Sequence, residues 1–245
     1  MKLSIIGFGR LGKLLCHNLS FDFDVSVYDK YPIDSKELAD AHGKKISLEE
    51  ISDSSIIILA VPIGQIESAL KELSPHIKNS PETLIIDVCS VKEMPVKLMK
   101  QILPKQISIL GTHPMFGPDS AKETLFGNQI ALCKVRIEEK LYSNIKNYLL
   151  KHGLKVTELT PAEHDKQVAS SLVLTHFIGR ALMETKVSRI EVDTLGYRRL
   201  LKILGTVEND SWELFEDMNK YNTYAKEMRE KFLQALTNID LKVKQ

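Results

Sequence analysis

The feature that most constrains this chain is the segment from Leu3 to Gly12, which reads LSIIGFGRLG. It begins with an apolar run short enough for a buried strand, and the run ends in the pattern G-x-G-x-x-G at Gly7, Gly9 and Gly12. The following residues, 13–19, are helix-forming rather than turn-forming. Strand, tight turn and helix in this order predict a loop whose backbone N–H groups face a bound phosphate.

An acidic residue supports this interpretation. The strand-like run 25–28 ends at Asp29, at the distance where dinucleotide-binding sheets place a carboxylate for the ribose hydroxyls. We therefore predict a dinucleotide site, against the alternative of a glycine turn in another α/β protein. Asp29 favours NAD because a carboxylate repels a 2′-phosphate, while Lys30 leaves NADP as a second cofactor. The predicted cofactor-binding residues are Gly7, Gly9, Arg10, Leu11, Gly12, Asp29, Val61, Pro62 and Ser90.

Composition argues against several classes of partner. The 245 residues include 33 basic and 32 acidic side chains, a formal net charge of +1, which gives no electrostatic basis for binding nucleic acid or an anionic membrane. No segment has the apolar length of a membrane span, and Met1 leads directly into the first strand, so we expect no signal peptide. The cysteines form no C-x-x-C pair, so we expect reduced thiols, no metal site and a cytoplasmic location.

The pattern of elements predicts two domains. Up to Leu159 strand and helix signals alternate, which is typical of a parallel sheet with helices on both faces. At Thr160 a capping-box pattern with Pro161 and Glu163 begins a stretch of helix signals only. We predict an α/β fold with a Rossmann dinucleotide-binding domain at residues 1–159 and a helical domain at residues 160–245. In such sheets ligands bind at the carboxyl ends of the strands.

Two polar clusters follow buried strands of the first domain. Residues 87–92 bring Ser90 and Lys92 to the predicted cofactor edge, although a serine and a lysine that cap the next turn are an equal alternative for this cluster alone. In residues 111–118, His113 follows a strand and precedes a proline, which biases its backbone to an extended conformation. A single histidine is usually structural, but this position beside the cofactor sheet favours a catalytic role.

A third cluster lies on the long helix that opens the second domain. Eleven residues at about 100° each bring Asp165 and His176 to within roughly 20° of one face, and Arg180 follows one turn later. Apolar neighbours argue against a solvated face. These polar groups must therefore be paired or line a cleft.

An apolar stripe predicts a second long helix. Its members recur at intervals of three, four and seven residues: Leu214, Met218, Tyr221, Met228, Phe232 and Leu236. Such a stripe is typical of a core or a subunit interface, and it carries more apolar surface than one small helical domain buries alone. We therefore expect a homodimer that assembles through the helices after Thr160.

In this order, these motifs resemble those of the prephenate/arogenate dehydrogenases, and most closely the plant-type arogenate dehydrogenases. The matching segments are Asp87 to Glu93 (DVCSVKE), Thr112 to Pro118 (THPMFGP), His164 to Lys166 (HDK) and Thr175 to Arg180 (THFIGR). The histidine–proline segment with its long helical tail is the specific part of the resemblance, and the glycines are the least specific.

The resemblance implies an NAD(P)-dependent oxidative decarboxylation in tyrosine biosynthesis, in which the cyclohexadiene ring of prephenate or arogenate becomes aromatic. It implies that the histidine matching His113 takes the proton of the substrate hydroxyl, and that the serine matching Ser90 orients it. His176 and Arg180 would hold a substrate carboxylate from across the cleft, and Lys92 belongs to the same predicted substrate site. In this family the helical domain also forms the dimer.

Two other functions stay open. A non-catalytic NAD-binding sensor would need none of Ser90, His113 and His176, and all three are present. Another Rossmann dehydrogenase, of the 3-hydroxyacid or imine-reductase type, would be expected to carry a catalytic lysine on its helical domain. That class leaves the segment HPMFGP unexplained.

Overall fold

The computed structural model describes residues 1–121 and 124–244, and within them residues up to Ala162 form a unit around one eight-stranded sheet. The strands are β1 (Lys2–Ile6), β2 (Asp24–Tyr28), β3 (Lys44–Lys45), β4 (Ile56–Leu59), β5 (Leu84–Asp87), β6 (Ser108–Pro114), β7 (Gln129–Arg136) and β8 (Lys155–Glu158). They are arranged in the order β3-β2-β1-β4-β5-β6-β7-β8. The crossover between β3 and β4 is the reversal of strand order typical of dinucleotide-binding sheets.

Helices cover this sheet. They are α1 (Arg10–Leu19), α2 (Ser35–Asp40), α3 (Ile66–Leu73), α4 (Glu93–Ile102) and α5 (Glu139–Lys151), with short 3₁₀ turns at Glu49–Asp53, Ile63–Gln65 and Ser74–His76. Every residue of β4 and β6 is buried, as in a strand that is covered on both faces. The predicted Rossmann fold is confirmed.

The sheet is parallel, as predicted, except at one edge. Strands β3, β2, β1, β4, β5 and β6 are parallel, but β7 runs antiparallel to β6, and β8 is parallel to β7. A parallel pair needs a long crossover, usually a helix. Between β6 and β7 the described residues contain no helix, so the chain turns back and pairs in the opposite direction.

The register of the parallel strands aligns their carboxyl ends. Tyr28, Ile6, Leu59, Asp87 and Gly111 form one row across β2, β1, β4, β5 and β6. The residues just beyond this row therefore lie along one edge of the sheet. From β1 to β6 the row spans three strand spacings, about 14 Å.

The second unit, Glu163–Gln245, is helical, as predicted. Its elements are α6 (Pro161–Val168, which begins in the first unit), a π-helical turn (Ala169–Val173), α7 (Leu174–Glu184), α8 (Leu195–Leu201), α9 (Leu204–Val207), α10 (Trp212–Tyr221) and α11 (Ala225–Val243). In the described part of the chain, no helix combines the length and apolar character needed to cross a membrane.

The apolar stripe from Leu214 to Leu236 lies on two helices, so the prediction of one long helix is wrong. The break falls at Asn222, which is 2% exposed. Its side-chain oxygen accepts the N–H of Tyr224 at 2.9 Å, and its amide donates to the main-chain oxygen of Asp165 at 2.8 Å. An asparagine that bonds its own backbone two residues on forms a turn, and this turn ends α10 before α11 begins.

Candidate active site

The glycine loop joins β1 to α1 by a turn that side chains would obstruct at two positions. Gly7 has φ +103°, and its N–H donates to the Tyr28 carbonyl at 2.8 Å. A Cβ on Gly7 would lie 2.5 Å from the Ala60 carbonyl oxygen, and one on Gly12 would lie 2.1 Å from the Gly7 oxygen. These two glycines are therefore required by the packing of the loop itself.

Gly9 differs from these two glycines. A Cβ on Gly9 would meet no described atom within 4 Å, so protein packing does not explain the glycine there. Gly9 is the N-cap of α1, it makes no side-chain capping bond, and the first turn carries no acidic residue. The N-terminus of a ten-residue helix thus faces open space with its N–H groups and a positive dipole, which is the arrangement that binds a pyrophosphate.

Asp29 lies directly after β2, beside the glycine loop. Its carboxylate accepts the N–H of Phe8 at 2.6 Å through Oδ2 and that of Tyr31 at 2.9 Å through Oδ1. The glycine loop therefore fixes the orientation of the carboxylate, and the side chain stays partly exposed.

A pocket of about 200 Å³ opens between Asp29 and the glycine loop. Its lining includes Phe8, Gly9, Lys13, Asp29, Tyr31, Asp34 and Glu37. The ammonium of Lys13 is bound by Glu37 at 2.6 Å, so the cation on this wall is already neutralised. Three carboxylates against one paired lysine make the part of the pocket around Asp29 negative, which disfavours a 2′-phosphate beside that carboxylate.

The remaining predicted cofactor residues lie on the same edge of the sheet. Val61 and Pro62 follow β4; Val61 is partly buried and Pro62 is exposed. Leu11 packs partly buried against the core of the sheet unit. Arg10 is exposed, and its guanidinium donates to Asp119 at 2.7 Å. The contacts of these four residues with a cofactor stay predictions.

Ser90 and His113 are carried by neighbouring strands. Ser90 is partly exposed in the loop after β5, and His113 is 4% exposed at the end of β6. The sequence predicted His113 just past its strand; the structure extends β6 through Pro114 and pairs His113 with Ala131 of β7. Pairing with β7 holds the backbone of the histidine more firmly than a loop would. The structure thus brings both residues to the carboxyl edge that carries the glycine loop.

Lys92 is enclosed by the protein. Its side chain is fully buried and forms an ion pair with the equally buried Asp87, and its ammonium also donates to the main-chain oxygen of Thr112. No part of Lys92 is exposed at the surface of the sheet unit, so the predicted direct contact with substrate finds no support in its geometry.

His176 and Arg180 are buried together in the helical unit. His176 Nε2 lies 3.6 Å from Asp210 Oδ2, and Arg180 donates to the main-chain oxygens of Asp210 and Ser211. The guanidinium also stacks 4.8 Å from the ring centre of Trp212. Burial lowers the pKa of His176; the charge of Asp210 opposes this shift, and that of Arg180 adds to it. At neutral pH the imidazole is therefore uncharged.

The prediction that Asp165 and His176 share one face is wrong, because it assumed an unbroken α-helix. The π-helical turn Ala169–Val173 lies between them, and the extra residue in such a turn rotates the remainder of the helix by about 100°. As a result, Asp165 bonds His164 Nδ1 at 2.8 Å, whereas His176 faces Asp210.

Sequence reasoning missed two features of the cofactor edge. Asp34 caps α2 by accepting the N–H of Glu37 at 2.9 Å, and Glu37 then reaches Lys13. The sequence contained a pattern that predicts this cap, because Asp34 stands three residues before Glu37, which is the spacing of a capping box. The link from Thr112 to Lys92 had no such signal, because it joins strand β6 to the loop after β5, and these two segments are distant in the sequence.

Comparison with known families decides where the chain belongs. A family model described as "Prephenate dehydrogenase, nucleotide-binding domain" matches residues 19–158, a range that includes Asp29, Ser90 and His113 and begins after the glycine loop. The chain belongs to the prephenate/arogenate dehydrogenase family. A second model, described as "TYRAAT1-like, C-terminal domain", matches residues 181–245 of the helical unit.

Individual relatives agree with this family. Arogenate dehydrogenase 1, chloroplastic, of Arabidopsis thaliana is 32% identical over 247 residues, which cover 98% of this chain and 38% of the relative. Arogenate dehydrogenase 2, chloroplastic, of the same plant is 30% identical over 249 residues, with coverages of 98% and 69%. The chain thus spans well under half of the first relative and about two thirds of the second.

A solved structure shares the fold of the family. It is a prephenate dehydrogenase from A. aeolicus in complex with hydroxyphenyl propionate and NAD⁺. The TM-score is 0.75 at 20% identity, and the match covers 99% of this chain and 90% of that one.

Proposed function

We propose that this protein is an NAD-dependent dehydrogenase that oxidatively decarboxylates arogenate or prephenate. The observation that carries the proposal is the placement of Ser90 and His113 at the carboxyl ends of adjacent strands, on the edge that also holds the glycine loop and Asp29. A hydride-transfer enzyme needs its base and its cofactor at one edge of the sheet.

The residues have separate roles in this reaction. The glycine loop and Asp29 would hold the nicotinamide cofactor, which would supply the acceptor for the hydride from the carbinol carbon of the substrate. The imidazole of His113 accepts the proton of the substrate hydroxyl, and the hydroxyl of Ser90 hydrogen-bonds the same region and orients it. Loss of carbon dioxide from the opposite ring carbon sends its electron pair into the ring and completes the aromatic system. The resulting phenolate oxygen takes the proton back from the imidazole of His113, so hydride, proton and carbon dioxide are all accounted for.

The preferred cofactor is NAD. A 2′-phosphate next to Asp29 would also meet Asp34 and Glu37, and Lys13 is already paired with Glu37. Ribose hydroxyls, by contrast, can donate to the fixed carboxylate of Asp29. The A. aeolicus relative with the same fold binds NAD⁺, which supports the choice.

His176 and Arg180 are proposed to contact a carboxylate of the substrate. Both carry a buried nitrogen without a hydrogen-bond partner among the described residues, Nδ1 in His176 and Nε in Arg180. Buried polar atoms normally have hydrogen-bond partners, so these two nitrogens fit contact with a polar ligand. In this contact the neutral imidazole of His176 would carry its hydrogen on Nδ1 and donate it to the carboxylate, while the positive charge comes from Arg180.

A homodimer formed through the helical unit is part of the proposal. On α11 the side chains of Leu236, Ile239 and Val243 are 48%, 58% and 80% exposed and lie on one helical face. An apolar face of this kind is typically covered by another protein surface, and a second copy of this chain is the partner proposed here. We also propose a cytoplasmic location, where the buried thiols of Cys16, Cys89 and Cys133 stay reduced.

The test is the initial rate of NADH formation with arogenate, prephenate and a 3-hydroxyacid, for the wild type and for His113→Asn. Asparagine keeps a hydrogen-bonding group but removes the basic nitrogen, so kcat should fall by about 10²–10⁴ with little change in NAD affinity. His76→Asn, in the turn that leads to the amino end of β5, is the matched control and should retain wild-type kcat. Turnover of the 3-hydroxyacid alone, or normal turnover by His113→Asn, contradicts the proposal.

A further inference from the structure

Lys92 is the largest side chain that the described protein encloses completely. It precedes α4, in the loop that carries Ser90, and its ammonium pairs with the carboxylate of Asp87 at the end of β5. A buried ion pair contributes little stability over an apolar pair of the same shape, because both charges lose their hydration. Packing alone therefore does not explain a charged side chain at this position.

The contacts of Lys92 join the two segments that carry Ser90 and His113. On the β5 side, the carboxylate of Asp87 also accepts a hydrogen bond, at 3.1 Å, from the N–H of Cys89, the residue before Ser90. On the β6 side, the ammonium of Lys92 donates to the Thr112 carbonyl. The Thr112 hydroxyl donates a hydrogen bond to the main-chain carbonyl of Asp87 at 2.7 Å, so the network links β6 back to β5.

The carbonyl of Thr112 belongs to the same planar peptide unit as the N–H of His113. A donor that holds this carbonyl therefore fixes the plane from which the His113 side chain projects. On the other strand, the bond from Cys89 fixes the chain one residue before Ser90. One ammonium thus constrains the backbone next to both groups.

We propose that Lys92 is a positioning residue, which sets the relative placement of Ser90 and His113 through Asp87 and Thr112 and does not touch the substrate. The proposal rests on the proposed function, because it assigns Lys92 a task in that reaction. A displacement of about 1 Å in a catalytic group can cost on the order of 10²-fold in rate, so a lysine that acts only through its neighbours can still control kcat.

The test compares Lys92→Met, which keeps the length of the side chain without its charge, with Lys97→Met on the exposed face of α4 as the matched control. We expect Lys92→Met to lower kcat by about 10–100-fold while the Kd for NAD changes less than about twofold. In a His113→Asn background the same substitution should change kcat less than about twofold, because the group that Lys92 positions is gone. Equal losses in both backgrounds would mean a purely structural role and would overturn the proposal.

A readout independent of turnover separates this proposal from the proposed function. The imidazole NMR signals of His113, identified by their loss in His113→Asn, should shift or broaden in Lys92→Met and stay unchanged in Lys97→Met. If the wild type turns over neither arogenate nor prephenate, the proposed function fails, whereas the imidazole signals still test the positioning. Unchanged signals in folded Lys92→Met overturn it.

A second variant covers the case in which Lys92→Met does not fold. The double variant Asp87→Asn/Lys92→Met removes both buried charges together and so leaves no unpaired carboxylate. It should fold and still show displaced His113 signals, because the contact with the Thr112 carbonyl is lost. Wild-type signals in the double variant, or failure of both variants to fold, would assign Lys92 to stability alone and refute the positioning role.

Discussion

The glycine loop gives a sharp prediction, because Gly9 and Gly12 are separated by three positions and have opposite surroundings. A Cβ on Gly12 would lie 2.1 Å from the main-chain oxygen of Gly7, while a Cβ on Gly9 would meet nothing within 4 Å. Gly9→Ala and Gly12→Ala add the same methyl group. We expect the first to impair cofactor binding and the second to impair folding.

The magnitudes depend on these distances. In Gly12→Ala two backbone segments must separate by about 1 Å, since neither can rotate away, and overpacking of this kind costs about 1–3 kcal/mol. In a chain of this size that corresponds to a Tm lower by roughly 2–12 °C. Gly9 has φ −69° and ψ −171°, which alanine adopts freely, so the stability of Gly9→Ala should change by less than about 1 kcal/mol. Its methyl group would occupy the space proposed for the pyrophosphate, and NAD affinity should fall at least about tenfold, or ~1.4 kcal/mol.

The assay measures Tm by circular dichroism and the Kd for NAD by isothermal titration calorimetry, for the wild type and both variants. Gly9→Ala should keep its Tm and lose affinity, and Gly12→Ala should lose Tm. A Gly9→Ala protein that binds NAD as the wild type does would refute the placement of the pyrophosphate at α1. An unchanged Tm in Gly12→Ala would refute the steric argument for the loop.

Three further predictions concern the cofactor, the pH dependence and the assembly. Asp29→Ser should lower the ratio of kcat/KM for NAD to kcat/KM for NADP, and Asp29→Ser/Glu37→Gln should lower this ratio further. A wild type that prefers NADP would contradict the claim that the carboxylates around Asp29 disfavour a 2′-phosphate. Burial holds the pKa of His176 below its ordinary 6.5, so the unfolded chain binds a proton first as the pH falls, and stability should decrease from about pH 6.5 downward. In thermal melts between pH 7 and pH 5, His176→Asn should reduce the dependence of the free energy of unfolding on pH by at most about 1.4 kcal/mol per pH unit. An equal pH dependence in both proteins would contradict a lowered pKa of His176. Light scattering should show a wild-type mass of twice the 27.7 kDa of one chain. Ile239→Glu should have the mass of the monomer, and the control Leu150→Glu should keep the mass of the dimer. A monomeric wild type would contradict the proposed interface.

The features that the sequence predicted are those that local chemistry dictates. The three glycines, Asp29 and the alternation of strand and helix each depend on residues close together in the chain, so the Rossmann unit could be predicted from the sequence. The helical second unit was predicted for the same reason, because the period changes at Thr160. The polar clusters at Ser90 and His113 could be placed because the carboxyl ends of parallel strands share one edge.

Other features depended on contacts between distant parts of the chain. The direction of β7 was decided by the connection that leads to it, and the end of α10 by the bond from Asn222 to Asp165. The π-helical turn Ala169–Val173 changed the face on which His176 lies, which an ideal period of 3.6 residues cannot show. Lys92 is the clearest case. The sequence assigned it to the substrate site because it follows a buried strand, but the packing of β5 against β6 encloses it with Asp87, since only the folded sheet brings their polar groups together.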